Sequence, residues 1–97
     1  EFDFFFKEPS YEQALLLGKK GELGMEETKK HLDKILTVPL SKDTIWEYAS
    51  ESGRGAVLWP LRVALSGKEK SPDPFAMIRA LGETKSRERI SHASSIL

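Results

Sequence analysis

Two histidines are the first side chains to consider for catalysis or metal binding. His31 and Glu27 are four residues apart and would share one face of a helix, a spacing that two metal ligands can use. Two such residues on an exposed helix more often form a solvated pair, however. The other imidazole is His92, and the sequence contains no cysteine. We therefore predict no catalytic residue and no metal site in this chain.

A second set of candidate residues lies between positions 53 and 82. Arg62 stands in a segment, residues 58–65, that is apolar nearly all round, so its charge is costly unless it is paired or faces a ligand. In residues 71–74 two prolines fix the backbone, while the hydroxyl of Ser71 can donate or accept a hydrogen bond. Such rigid apolar edges beside a polar group suit unstacked RNA bases. Equally, the turn could be only a helix start, and Arg62 could extend to the surface.

The charge is divided unevenly along the chain. The formal net charge is zero, which by itself argues against a nucleic-acid partner, because phosphate binding usually leaves a basic footprint. Residues 1–52 carry seven Lys and eleven Asp or Glu, whereas residues 53–97 carry eight Lys or Arg and four Asp or Glu. All five arginines, whose planar fork fits phosphates and base edges, lie in the second half. Any nucleic-acid site should lie there, although a solvated surface would also account for this charge distribution.

Length and composition predict one globular domain. The chain has 97 residues, of which 39% are hydrophobic and 31% charged, and no apolar run approaches the roughly 20 residues that cross a bilayer. It opens on a Phe-rich cluster without an initiating Met or the features of a signal peptide, so we expect a piece of a longer chain. The absence of cysteine excludes disulfides, and the cytoplasm is the default location.

The elements that must position these side chains are helices. Strand patterns are poor and helix punctuation is abundant, so we predict an all-α fold, an irregular bundle of about six short helices. The predicted helices are residues 11–17 after Ser10, residues 25–36, a helix from Ser41 to Gly53, residues 59–66 before Gly67, a helix from Asp73 to Gly82, and a last helix from Glu83 or Thr84 that frays near Ser94. A flexible elbow is predicted at residues 53–55. Ile45, Trp46 and Ala49 are predicted to form a buried stripe.

The second half of the sequence resembles a known family. WPLRVALSG at residues 59–67, SPDPF at 71–75, LGET at 81–84 and Arg89-Ile90 are similar, in order and spacing, to the C-terminal signature of bacterial-type glutamyl-tRNA synthetases. The Phe-rich opening, residues 7–11 and residues 53–55 fit as well. The resemblance implies that residues 1–97 are the C-terminal part of an all-helical anticodon-binding domain, with an acidic half at 1–52 and a basic half at 53–97 that carries the contact motif.

The resemblance also implies which residues contact RNA. In this family an arginine in the Leu-Arg-x-Ala-Leu helix and the Ser/Thr-Pro turn after it contact the anticodon bases. The matching positions are Arg62, Ser71 and Pro72, with Pro74 as a further contact. Trp59 and Phe75 are the implied supports. Charge alone suggests Lys68 and Lys70 as phosphate contacts.

Catalysis is expected in a part of the parent protein outside this chain. The resemblance implies a monomeric parent that uses ATP and magnesium to join glutamate to tRNA(Glu), whereas the nucleotide-binding motifs of that class have no match here. We therefore expect tRNA(Glu) as the partner, with no cofactor in this chain and neither DNA nor a membrane as a partner. An alternative function is a helical protein-interaction module without an RNA role, suggested by the acidic amphipathic helices and the Phe-rich opening.

Overall fold

The computed structural model describes residues 11–18, 21, 23–68 and 73–97. These residues form one 3₁₀-helix and five α-helices and contain no strand, which confirms the predicted all-α fold. The elements in chain order are the 3₁₀-helix Gln13–Leu17, α1 (Met25–Leu36), α2 (Lys42–Ser52), α3 (Arg54–Ser66), α4 (Pro74–Leu81) and α5 (Glu83–Ser95). None of the helices in the described ranges is long and apolar enough to cross a membrane.

Helix α3 is the centre of the bundle. It packs against all five other helical elements, because its sequence is apolar on almost every side. Its buried residues include Val57, Pro60, Leu61, Val63, Ala64 and Leu65. Full burial of one leucine side chain contributes about 1.5–3 kcal/mol, so this helix supplies a large share of the stability of the core.

The start of α3 differs from the prediction. The sequence placed it at Trp59, with an elbow at residues 53–55, but the helix begins at Arg54 and only Gly53 lies outside it, with a φ of 110°. Pro60 was wrongly assigned to the first turn. It lies inside the helix, where its missing N–H leaves the oxygen of Ala56 without the usual bond. Continuing the helix back to Arg54 buries Val57 completely, which favours the longer helix.

The other helix boundaries follow the punctuation in the sequence. Helix α1 has the predicted bounds, and Ser41 caps α2 by accepting a hydrogen bond of 3.3 Å from the N–H of Thr44. The first segment was predicted from residue 11 with Ser10 as its cap. It begins instead at Gln13, as a 3₁₀-helix, and Ser10 lies outside the described residues. The predicted stop at Gly18 is confirmed.

Helix α2 buries a narrower stripe than predicted. Ile45 and Ala49 are fully buried, but Trp46 is 40% exposed, so its assignment to the buried stripe was wrong. Trp46 follows Ile45 directly and therefore points about 100° away from it around the helix. Its ring is covered instead by Arg54, whose guanidinium carbon lies 4.9 Å from the ring centroid in a cation–π contact.

Helix α5 is bonded to α1 near its carboxyl end. The ammonium of Lys29 donates to the backbone oxygen and to the hydroxyl of Ser94, at 3.0 and 3.1 Å. Ser94 Oγ also donates to a carboxylate oxygen of Asp33. The prediction that the chain frays near Ser94 was therefore wrong, because this residue is buried and bonded, and the helix continues to Ser95.

Candidate nucleic-acid interface

The candidate contact residues lie where α3 ends and α4 begins. Gly67 follows α3 with a φ of 76°, a left-handed conformation that glycine adopts at little cost, and its N–H donates to the oxygen of Val63 at 2.7 Å. The two helices pack against each other, which brings their facing ends together. Lys70, Ser71 and Pro72 lie outside the described residues, and their proposed contacts remain predictions.

Arg62 lies near the carboxyl end of α3 and is half-buried. Its Nε is buried and has no hydrogen-bond partner among the described residues. The sequence left open whether this arginine faces a ligand or extends to the surface. The side chain reaches partly into solvent, yet one of its donors is withdrawn from water. A buried donor without an acceptor costs about 1–3 kcal/mol.

Ser66 closes the last turn of α3 around Arg62, a role that the sequence did not reveal. Its hydroxyl lies 2.9 Å from the backbone oxygen of Arg62 and 3.2 Å from that of Lys68, and it donates its single proton to one of them at a time. The hydroxyl oxygen of Ser66 also accepts a hydrogen bond from the N–H of Lys68 at 3.1 Å. The backbone from Arg62 to the first residue after Gly67 is therefore held by one side chain.

Arg89 in α5 is a second side chain that binds the end of α3 and that the sequence did not reveal in this role. Its Nη1 donates to the backbone oxygen of Leu65 at 2.7 Å, and the residue is only 3% exposed. Leu65 belongs to the last turn of α3, whose carbonyl groups lack partners within the helix. The sequence indicated Arg89 only as part of a family signature, because nothing in its local spacing predicts a bond to a residue 24 positions earlier.

The start of α4 is built from a capping side chain and two buried rings. A carboxylate oxygen of Asp73 accepts from the N–H of Phe75 at 2.8 Å, and Pro74 occupies the first turn, as the sequence predicted. Phe75 belongs to the core, where a support should lie. Pro74 is buried as well, so its ring offers little surface to a ligand in this structure, and its contact remains a prediction.

The remaining predicted residues lie on either side of Arg62 in the sequence. Trp59, three residues before Arg62, is half-buried and donates from Nε1 to the backbone oxygen of Leu15 at 2.7 Å. It therefore joins the 3₁₀-helix to α3. Lys68 is exposed directly after Gly67, a position from which a cation can reach a phosphate. That contact remains a prediction.

The histidine considered first has a different environment from the predicted solvated pair. His31 is 8% exposed, and its Nδ1 lies 2.7 Å from the hydroxyl of Tyr48 in α2, with the two rings edge to face. It therefore joins α1 to α2. Within the described ranges, no group of three or more His, Cys, Asp or Glu side chains could hold a metal ion.

Comparison with known proteins shows which family of proteins this chain is similar to. Residues 1–94 match the family model described as an anticodon binding domain. The chain is 31% identical to the glutamate–tRNA ligase of Herpetosiphon aurantiacus over 105 residues, which is 98% of this chain and 21% of that protein. It is 32% identical to that of Clostridium tetani over 102 residues, 93% of this chain and 21% of the relative. It is 30% identical to that of Clostridium botulinum over 111 residues, 100% of this chain and 23% of the relative.

These relatives are much longer than the chain, which spans about a fifth of their length. No match to a solved structure was found. None of these comparisons supports the alternative of a protein-interaction module. The match extends over both halves of the sequence, including the helix that bears Arg62 and the start of α4. The chain therefore belongs to the anticodon-binding domain family.

Proposed function

We propose that this domain holds the anticodon loop of tRNA(Glu), as part of a glutamate–tRNA ligase in which Arg62 and the turn at residues 71–72 contact the anticodon bases. Membership of the anticodon-binding domain family and similarity to glutamate–tRNA ligases support this proposal. The rest of such a protein would attach glutamate to the tRNA with ATP and magnesium. We further propose a monomeric parent, on the ground of the family resemblance, and a cytoplasmic location, where charged tRNA is used.

The observation that carries the proposal is the buried Nε of Arg62, which has no hydrogen-bond partner in the described part of the chain. A guanidinium offers five N–H donors in a fixed plane, which matches the acceptor pairs on base edges and the oxygens of a phosphate. An RNA acceptor at this position would satisfy the donor whose burial is costly in the free protein. Bases of an anticodon loop are unstacked enough to be read in this way.

The ends of the two helices are suited to hold such a contact rigidly. Gly67 and the hydroxyl of Ser66 fix the end of α3, and the carboxylate of Asp73 fixes the start of α4. Between them lie only the residues that the family resemblance assigns to base contact and their immediate neighbours. Helix ends that are already fixed lose little conformational entropy when RNA binds, and this raises affinity.

The charge distribution favours recognition of bases over general phosphate binding. The first half of the chain is acidic, so it cannot provide a long basic groove. Lys68, and Lys70 if its side chain also reaches the loop, would supply local phosphate contacts that position the RNA without reading its sequence. Most of the phosphate contact would then come from other parts of the longer protein.

The proposal is tested by removing the guanidinium from the full-length protein. Arg62→Met keeps an unbranched apolar stem, so it should leave the fold intact while the catalytic efficiency of aminoacylation, kcat/KM for tRNA(Glu), falls about tenfold or more. Arg79→Met is the matched control, because it removes one exposed positive charge from α4. The control should change kcat/KM less than about twofold.

A second tRNA separates base reading from general affinity. The same measurements with an anticodon-swapped tRNA should show a lower kcat/KM for the unmodified protein, and Arg62→Met should reduce that difference. Unchanged kcat/KM for tRNA(Glu) in folded Arg62→Met protein would contradict the assignment of Arg62. Equal values for the two tRNAs in the unmodified protein would contradict anticodon recognition altogether.

A further inference from the structure

Two arginines of α5 each bind the carboxyl end of a different helix. Arg87 donates from Nη1 to the oxygen of Leu36, at the end of α1, at 2.8 Å, and from Nη2 to the oxygen of Val38 at 3.0 Å. Arg89 donates to the oxygen of Leu65, in the last turn of α3. The two side chains have the same chemistry and lie on the same helix, but only Arg89 binds the helix that leads into the candidate contact turn.

The bond to Leu65 is a strong one for physical reasons. The last carbonyl groups of a helix lack partners within it and carry the negative end of the helix dipole, which a cation stabilises. Because Arg89 is buried, water screens this attraction less than it would on the surface. A shift of the end of α3 would leave both groups without this partner, so the bond fixes the position of that turn.

The turn held by Arg89 also contains the proposed base contact. Leu65 follows Arg62 by three residues and precedes Gly67 by two, so Arg62 and Leu65 lie in the last turns of α3 and Gly67 follows its end. Ser66, the next residue, links the oxygen of Arg62 to the N–H of Lys68. Movement of the oxygen of Leu65 would therefore change the position of Arg62 relative to the residues that follow Gly67.

We propose that Arg89 is a positioning residue for anticodon recognition. It does not touch the RNA, but it holds the end of α3 so that Arg62 meets the anticodon bases in one geometry. This inference rests on the proposed function. It predicts that the preference for the correct anticodon, and not only the stability of the domain, depends on Arg89.

The experiment compares Arg89→Met with Arg87→Met in the full-length protein. Both replace an arginine of α5 by an uncharged side chain and remove a bond to the end of a helix. The measured quantity is the ratio of kcat/KM for tRNA(Glu) to kcat/KM for an anticodon-swapped tRNA. Arg89→Met should lower this ratio about threefold to tenfold, whereas Arg87→Met should leave it within about twofold. Both variants should be less resistant to unfolding by urea.

The conservative variant separates positioning from loss of fold. Arg89→Lys keeps the charge and a donor but loses the planar fork, so it should recover only part of the ratio that Arg89→Met loses and leave the ratio lowered about twofold to threefold. If Arg89→Met does not fold, Arg89→Lys and Arg87→Lys decide the question. A ratio lowered at least about twofold in Arg89→Lys alone supports the proposal, and equal ratios in both overturn it.

The outcomes distinguish this inference from the function on which it rests. If the unmodified protein shows no anticodon preference, the proposed function fails. If Arg62→Met lowers the preference and folded Arg89→Met retains it, the function stands and the positioning role is overturned. If Arg87→Met and Arg89→Met lower the ratio equally, general destabilisation explains the effect, and the positioning role is again overturned.

Discussion

The indole of Trp59 and the backbone of Leu15 are joined by a hydrogen bond of 2.7 Å, across 44 residues of sequence. The bond connects α3 to the 3₁₀-helix. Leu16, which follows Leu15 in that helix, is fully buried. The indole N–H of this half-buried ring takes its acceptor from the backbone of a segment too short to be stable by itself. The contact therefore fixes both the segment and the face of α3 that bears Arg62.

We expect Trp59→Phe to destabilise the domain. The substitution removes the donor to Leu15 and part of the buried ring, so the free energy of unfolding should fall by about 1–3 kcal/mol. Urea unfolding followed by circular dichroism measures this change. Trp46→Phe is the control, because Trp46 is largely outside the core, and it should cost less than about 1 kcal/mol. Equal losses in the two variants would show that the bond to Leu15 contributes nothing particular.

A second prediction concerns alkaline pH. Burial raises the pKa of Tyr11 from 10.0 to about 12, and its hydroxyl has no hydrogen-bond partner in the described part of the chain. The folded protein therefore keeps this proton at a pH where the unfolded chain has lost it. Stability that is present below about pH 10 is lost as the pH rises toward 12.

Tyr11→Phe should remove that pH dependence. The phenylalanine variant should be at least as stable as the unmodified chain at pH 7, since it buries no unpaired hydroxyl. Between pH 9 and 11.5 the free energy of unfolding should fall in both proteins. The fall in the variant should be smaller than that in the unmodified chain by about 1 kcal/mol or more. Urea unfolding across this range of pH measures the difference. The other titrating groups are the same in both proteins, so the difference reports Tyr11. The same decline with pH in the two proteins would argue against a raised pKa.

The cap of α4 gives a third prediction. Asp73→Ala removes the acceptor for the N–H of Phe75 and should lower the free energy of unfolding by about 1 kcal/mol. Asp73→Asn keeps an oxygen in the same place and should retain most of that stability. Thermal and urea unfolding of the three proteins measure the difference. If Asp73→Asn loses as much as Asp73→Ala, the charge of the aspartate rather than its capping oxygen would be responsible.

A fourth prediction concerns Lys68 and rests on the proposed function. If its side chain meets a phosphate, Lys68→Ala should weaken binding to tRNA(Glu) and to an anticodon-swapped tRNA by the same factor. The slope of the logarithm of affinity against the logarithm of salt concentration should fall by about 1 in magnitude. Binding titrations at several salt concentrations measure both effects. An unchanged slope would place Lys68 away from the RNA backbone.

The helices with clear local signals could be predicted from the sequence. The bounds of α1 follow from its apolar spacing and the breakers beside it, Gly24 and Pro39, and those of α4 from Asp73 and Gly82. The start of α3 could not be predicted in this way. A proline usually marks a first turn, but burial of Val57 in the core outweighs that local preference.

The candidate site was predictable in part. The helix of Arg62 and the cap at Asp73 were read from residue types and spacing, and the family resemblance supplied their expected role. The bonds from Ser66 and Arg89 were not predicted, because each depends on the geometry at the end of α3. The sequence also paired His31 with Glu27, four residues away, whereas its partner in the structure is Tyr48 in the next helix. Spacing within one helix says nothing about which side chains a neighbouring helix provides.

The two tryptophans lie in different surroundings, and this gives the protein its own optical reporter. Trp46 is 40% exposed and lies beneath the guanidinium of Arg54, whereas Trp59 is half-buried three residues before Arg62. Indole fluorescence shifts with the polarity around the ring, so the two residues emit differently. Within these 97 residues, Trp46→Phe would leave Trp59 as the single tryptophan, beside the proposed RNA contact. Its emission would follow the docking of a ligand in real time, without any attached dye.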